Sequence, residues 1–230
     1  MTFESLLPIA SSYGADIDNL IIWIGILVGF WFVLCEVILI GFIIKFRAKD
    51  GRRAEYITGE EQTQKRWISM PHLLVLVCDV FIVYGAVRIW IDVKQDLPAT
   101  PDATVRIIGQ QWAWSFVHPG LDNVLDTADD VKTVDELHVE IGKTYVYELQ
   151  ARDVLHSFSI PVFRLKQDAV PGRVIKGWFK PTRTGEYDLQ CAEICGIGHG
   201  VMAARIIIHP PGGAAAWMGH SAPLHLAAAH

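Results

Sequence analysis

Residues 21–44 read IIWIGILVGFWFVLCEVILIGFII, a run of 24 in which Glu36 is the only charged side chain. As an α-helix rising about 1.5 Å per residue, the run covers about 36 Å, enough to cross a hydrocarbon core of about 30 Å with some tilt. It is too long for the apolar region of a signal peptide. The residues before it also lack the basic flank of one, since positions 1–20 carry Glu4, Asp16 and Asp18 but no lysine or arginine. The competing reading, a buried helix in a soluble core, does not suit so uninterrupted an apolar stretch.

Outward from this run, Pro71–Ile91 forms a second apolar segment, interrupted by His72, Asp79 and Arg88. Pro71 suits a first helical turn, where its missing N–H is no loss. Helices are therefore expected over about 20–45 and 68–92. Between them, residues 45–66 hold seven basic residues (Lys45, Arg47, Lys49, Arg52, Arg53, Lys65, Arg66) against four acids. The positive-inside rule makes that loop cytoplasmic and puts the N-terminus and everything after residue 92 outside. Asp79 near mid-span would cost about 2.5–3.5 kcal/mol facing lipid, so it should face protein. A two-helix hairpin cannot enclose it, and a partner membrane subunit is implied. Asp79 reads as a structural ion-pair member or as a proton-relay group.

Composition agrees with a membrane protein carrying a folded extension. Hydrophobic residues make up 51% of the 230 and charged residues 20%, with mean hydropathy +0.29. The net charge of −5 offers no basic footprint, so nucleic acid is not an expected partner. Four cysteines are too few for a disulfide scaffold of this length.

Past Pro98 and Pro101 the pattern changes to short β-type runs separated by turn signals such as His118-Pro-Gly, Ile141-Gly-Lys, Val170-Pro-Gly and Arg183-Thr-Gly. Strands are expected near Val105–Val117, Leu137–Glu140, Thr144–Ala151, His156–Ile160, Val174–Lys180, Glu186–Gln190 and Ala203–His209. Such spacing argues a β-sandwich or Greek-key barrel over about 98–210. The Gly- and Ala-rich tail, 211–230, reads as flexible. The acid-rich stretch Leu121–Glu136 does not match an EF-hand loop and reads as a solvated acidic loop, with Ca²⁺ binding the alternative. Its charge suits a basic protein partner.

The chemistry concentrates in Cys191-Ala-Glu-Ile-Cys195-Gly-Ile-Gly-His199-Gly-Val-Met202. Two thiols, an imidazole and a thioether lie within twelve residues. Zinc has little use for a thioether, whereas copper takes soft sulfur and imidazole together. A mononuclear blue site needs one Cys and two His. Two thiolates can instead bridge two coppers, each then completed by one His and a weak ligand. A second imidazole must come from elsewhere, and His156 at the head of an alternating run is the best candidate; His118 and His138 fall in other elements. A Cys191–Cys195 disulfide and a structural zinc site remain alternatives.

These stretches resemble subunit II of the haem–copper cytochrome c oxidases over nearly the full length. The resemblance rests on the hairpin, Gly109-Gln-Gln-Trp112-Ala-Trp114-Ser115, Asp153-Val-Leu-His156-Ser-Phe-Ser-Ile-Pro161, Leu165-Lys-Gln-Asp168-Ala-Val-Pro171-Gly-Arg173 and the Cys191–Met202 loop. It implies an α+β membrane protein: a transmembrane hairpin (1–97) followed by a cupredoxin-like Greek-key β-sandwich on the outer face of a bacterial cytoplasmic membrane. It further implies a dinuclear copper centre, CuA, bridged by Cys191 and Cys195. His156 and His199 would be its nitrogen ligands, with Met202 and the carbonyl of Glu193 as weak ligands. The Glu193 side chain would reach a Mg or Mn ion shared with subunit I. Trp112 would be where electrons arrive from a cytochrome c donor, with Asp153 and loop 121–136 in its docking patch. Oxygen reduction to water and proton pumping would reside in subunit I and its haems, among other oxidase subunits and membrane lipid. Two departures stand out. Gln64 occupies a position before Trp67 where many members carry a proton-pathway glutamate, and Gln110 replaces a common histidine. A membrane-tethered copper carrier and a quinol-oxidase-type subunit II are the rival readings. The second normally lacks the copper ligands present here.

Overall fold

The computed structural model describes residues 7–49, 51, 53 and 56–221, and the chain divides into two compact units. One is residues 18–90. It contains nearly all of helix α1 (Gly14–Lys45) and all of α2 (Gln62–Trp90), each long and apolar enough to cross a membrane. None of the apolar window of either helix is buried within the protein. A Cβ at Gly85 would lie 3.3 Å from Leu20 Cδ1, so the small residue lets the two helices approach closely. Glu36, His72 and Asp79 are all exposed on this hairpin, which leaves both carboxylates for another protein surface to cover. Of the basic loop residues, Arg52 lies outside the described residues.

Two expectations about α2 change. The helix begins at Gln62 rather than near residue 68, and Pro71 lies inside it rather than in its first turn. The Gln64 side-chain oxygen accepts the Gly59 N–H at 2.8 Å, which ties this first turn to the preceding loop.

The second unit comprises the residues up to 17 and from 91 onward. A π-helical turn, Ile91–Gln95, leads into ten strands. These are β1 Ala103–Gln110, β2 Ala113–His118, β3 Val131–Val134, β4 Glu136–Glu140, β5 Tyr145–Ala151, β6 His156–Ile160, β7 Leu165–Ala169, β8 Ile175–Phe179, β9 Gly185–Cys191 and β10 Ala203–His209. They form two five-stranded sheets in the orders β3-β2-β1-β5-β8 and β4-β10-β9-β6-β7. Pairing is antiparallel except for β1 with β5 and β10 with β4. Alternation does the sorting: in β1 every second residue is buried, and Ile107, Trp114, Leu149, Phe158 and Ile206 are fully enclosed in the core.

The run expected as one strand over 105–117 is a hairpin, turning at Gln111-Trp112 so that Gly109 pairs with Trp114. Strands β3 and β7 were not anticipated. Residues 10–13, assigned in advance to the hairpin unit, pack on the sandwich: Ala10 N–H donates to the Val162 carbonyl, and Ser11 Oγ to that of Phe163, both at 2.9 Å. The tail is corrected as well. Within its described part a helix, α3, spans Gly213–Ser221, and residues 222–230 lie outside the described residues.

Candidate metal centre

Two long-range pairings assemble the donors. Strand β6 pairs with β9 so that Phe158 opposes Cys191, which brings His156, at the head of β6, against the end of β9. Strand β9 pairs with β10 through Gln190 and Ala203, and the Cys191 N–H donates to the Met202 carbonyl at 3.2 Å. The loop 192–202 is therefore closed at its neck. A tight turn at His199–Val201 folds it back, with the Met202 N–H donating to the His199 carbonyl.

Within this frame Cys191 Sγ lies 3.9 Å from His156 Nδ1 and 3.9 Å from Cys195 Sγ. Cys195 Sγ lies 3.7 Å from His199 Nδ1 and 3.8 Å from Met202 Sδ. The Glu193 carbonyl oxygen is 3.2 Å from Cys191 Sγ. Two sulfurs each about 2.3 Å from one ion in near-tetrahedral geometry stand about 3.8 Å apart. These spacings are thus those of donors around shared metal, and both thiols are free. Among the described residues, His156, Cys191 and Cys195 form the one His/Cys/carboxylate group compact enough to hold an ion, and all three are buried. Burial, and then the adjacent Cys191 thiol, push the Cys195 thiol up to about 11, which favours its protonated form. A cation at the site reverses that preference, since thiolates ligate with loss of their protons.

Each histidine face is supported. His156 is fully enclosed, and a Cβ at Gly109 would sit 3.2 Å from its ring, so glycine is needed where β1 passes behind it. Its other nitrogen, Nε2, meets Asp153 Oδ1 at 2.9 Å, the carboxylate–imidazole arrangement that fixes a ligand's orientation. Burial opposes ionisation of Asp153, but the N–H groups of Gln111 and Val154 together with His156 outweigh it and hold the carboxyl below its usual range. Asp153, expected in a docking patch, also holds the His156 ring.

Trp112 packs on the loop with 39% of its surface exposed. A side chain at Gly198 would collide with Cγ and Cδ2 of its ring, and one at Gly196 would come within 3.2 Å of it. Its Nε1–H donates to the Cys195 carbonyl at 3.3 Å, and Gln111 Nε2 donates to the same oxygen at 2.7 Å. Gln111 is a functional residue that sequence reasoning missed; its one signal was standing next to Trp112. His118 and His138, weighed as ligands, instead meet one another, and neither belongs to the compact donor group. In the acidic stretch, Asp126 is held by both terminal nitrogens of Arg106 at 2.7 and 3.0 Å, and Asp129 accepts the Leu121 N–H. Those carboxylates are engaged internally.

Residues 103–209 match the family described as cytochrome c oxidase subunit II, periplasmic domain. Over 237 aligned positions the chain is 34% identical to the alternative cytochrome c oxidase subunit 2 of Bradyrhizobium diazoefficiens, covering 92% of this chain and 82% of that one. It is 45% identical over 111 residues to cytochrome c oxidase subunit 2 of Thermostichus vulcanus, covering 48% of this chain and 31% of the relative. Among solved structures, the periplasmic domain of subunit II of cytochrome oxidase from Bradyrhizobium japonicum aligns with TM-score 0.49 at 27% identity, over 54% of this chain and 96% of that chain.

Proposed function

Because the chain belongs to the cytochrome c oxidase subunit II family, a membrane component of oxidase complexes with an external β-domain, we propose that it is the electron-accepting subunit of a bacterial respiratory oxidase. In this reading residues 18–90 span the cytoplasmic membrane with loop 45–66 inside. The sandwich stands outside, receives electrons from a cytochrome c-type donor near Trp112 and hands them to a haem of subunit I. Reduction of oxygen to water, coupled to proton pumping, belongs to that partner. The observation that carries the proposal is the unbroken series of 3.7–3.9 Å spacings from His156 through Cys191 and Cys195 to His199 and Met202.

The donor set fits a copper pair: two thiols to bridge, one imidazole beside each thiol, and a thioether and a carbonyl oxygen as weak donors. When bound, such a pair supplies a one-electron site whose charge is shared over both metals, so that gain or loss of an electron changes bond lengths little. The protein's own part is to hold the donors still. Asp153 fixes the His156 ring, Gln111 and Trp112 clamp the loop at the Cys195 carbonyl, and the β9–β10 ladder closes its neck. Burial of Cys191, Cys195 and Met202 excludes water from the sulfur side. The half-buried Glu193 would offer its carboxylate to a Mg or Mn ion shared with subunit I.

The test is metal analysis with electron paramagnetic resonance on the full chain in detergent, loaded with copper. Two coppers per chain, with hyperfine structure from an electron shared equally by two copper nuclei, is the expected result. A single-nucleus pattern, or zinc alone, would move the function to copper carriage or structural metal binding.

A further inference from the structure

On the side of the sandwich carrying β2, β4 and β10, three histidines meet beneath α3. Trp217 lies flat on His138, with ring centroids 3.7 Å apart and planes 7° apart, and meets His118 edge-on at 5.1 Å. Ala214, Trp217 and Met218 roof a small cleft whose floor includes His118, His138 and Tyr145. The helix has nine residues, GAAAWMGHS, too few to hold helical structure in water without packing. Its order thus depends on its seat.

Hydrogen bonds commit that seat to neutral imidazoles. His118 Nδ1 meets the Val131 carbonyl at 3.2 Å, and His118 Nε2 accepts the His138 backbone N–H at 3.0 Å, so Nε2 must carry a lone pair. His138 Nδ1 and His209 Nε2 stand 2.9 Å apart in nearly coplanar rings, a spacing with room for one proton between them and not for two. We propose that α3 is an acid-released latch: Trp217 seats on the neutral histidine group, and acidification of the compartment bathing the β-domain unseats the helix and opens the His118–His138 cleft.

The surrounding charges are mixed. Glu136 Oε2, from β4, lies 3.5 Å from His138 Nε2, and Glu186, from β9, adds attraction for a proton on His138. Glu140, from β4, does the same for His209, but is itself paired with Lys143 at 3.2 Å. Tyr145 accepts the Glu140 N–H, and His220 on α3 binds its own helix at the Ala216 carbonyl. An imidazolium under an indole would also gain cation–π attraction. Burial outweighs these terms: it is the leading influence on His118, His138 and His209, and all three hold protons less readily than the ordinary 6.5. Unseating returns His138 and His209 toward water and toward that value. Seating is therefore fully favoured above about pH 6.5 and weakens as the pH falls below it.

Hydrogen exchange by mass spectrometry on the full chain in detergent tests this, with exchange times scaled for intrinsic pH dependence. Between about pH 7.5 and about pH 5, protection of the 213–221 amides should fall about tenfold or more. His138→Phe with His209→Gln, which keeps a ring under Trp217 but cannot titrate, should remove most of that fall. Trp217→Ala, a half-buried position, should leave α3 unprotected at both pH values. Unchanged protection of the wild-type helix would overturn the latch, as would an equal fall in the double variant. So would a Trp217→Ala helix that stays protected.

Discussion

Acidification from pH 7 to pH 5 should destabilise the whole sandwich through His118, by an amount the structure sets. This ring is 2% exposed, and burial pushes its pKa down to about 4 against the opposing pull of the Val131 carbonyl. In the unfolded chain it returns to about 6.5, so the folded state binds its proton less tightly. Stability is then present in full above about pH 6.5 and lost as pH falls toward 4. At 1.36 kcal/mol per tenfold change in proton affinity, the interval from 6.5 to about 4 amounts to about 3.4 kcal/mol, of which about 2 kcal/mol is gone by pH 5. Carboxylates with lowered pKa, such as Asp126 and Asp168, act only at more acid pH and leave this window to the histidines. The assay is urea unfolding of the full chain in detergent, followed by tryptophan fluorescence at both pH values. His118→Gln keeps a donor for Val131 and an acceptor for the His138 N–H without titrating. Its loss between pH 7 and pH 5 should be smaller than that of the wild type by about 2 kcal/mol. Equal losses in the two proteins would refute the assignment of the buried neutral imidazole to His118.

Four further outcomes follow from the metal loop. Gly198→Ala keeps an allowed backbone, φ −90°, but drives Trp112 off the loop; electron acceptance from a cytochrome c should slow about tenfold with copper content unchanged in stopped-flow and metal assays. Trp112→Ala should slow the same step and leave the copper spectrum intact, and an unchanged rate would remove Trp112 from the route. Met202→Leu should retain both coppers yet shift the midpoint potential in a redox titration, because a weak donor tunes the site more than it holds it. Asp153→Asn should weaken copper retention against a competing chelator by about 10- to 100-fold, the usual effect of freeing a ligand imidazole from its carboxylate.

What the sequence made legible follows from where its signals are strong. Length of apolar sequence marked both long helices, even where His72, Asp79 and Arg88 interrupt the second, and softness of donors pointed to copper over zinc from Met202 alone. The two strands it hid, β3 and β7, are both edge strands. Short, charged runs such as Val-Lys-Thr-Val and Leu-Lys-Gln-Asp-Ala suit an edge that must not pair further, and they carry little alternation to read. The β1–β2 hairpin was hidden because Gln111-Trp112 turns without glycine or proline. Helix α3 had the composition of a mobile tail; what orders it is Trp217 reaching His138, a contact no local pattern announces. The contacts of Asp153 with His156 and of Gln111 with the Cys195 carbonyl were hidden for the same reason, since only the fold brings those partners near.

The candidate centre takes its frame from the sheet. His156, Cys191 and Met202 are placed by backbone ladders between β6, β9 and β10. Only the span from Glu193 to Val201 is free to adjust, and its midpoint is pinned at the Cys195 carbonyl by Gln111 and Trp112. The side chain proposed to meet an electron donor is thus joined mechanically to the loop 192–202. The two bonds are unequal, 2.7 Å from Gln111 against 3.3 Å from Trp112, so losing the indole leaves the stronger tie in place. That inequality is the reason Trp112→Ala should separate the two roles of this junction, slowing electron acceptance while the donors stay where β6, β9 and β10 put them.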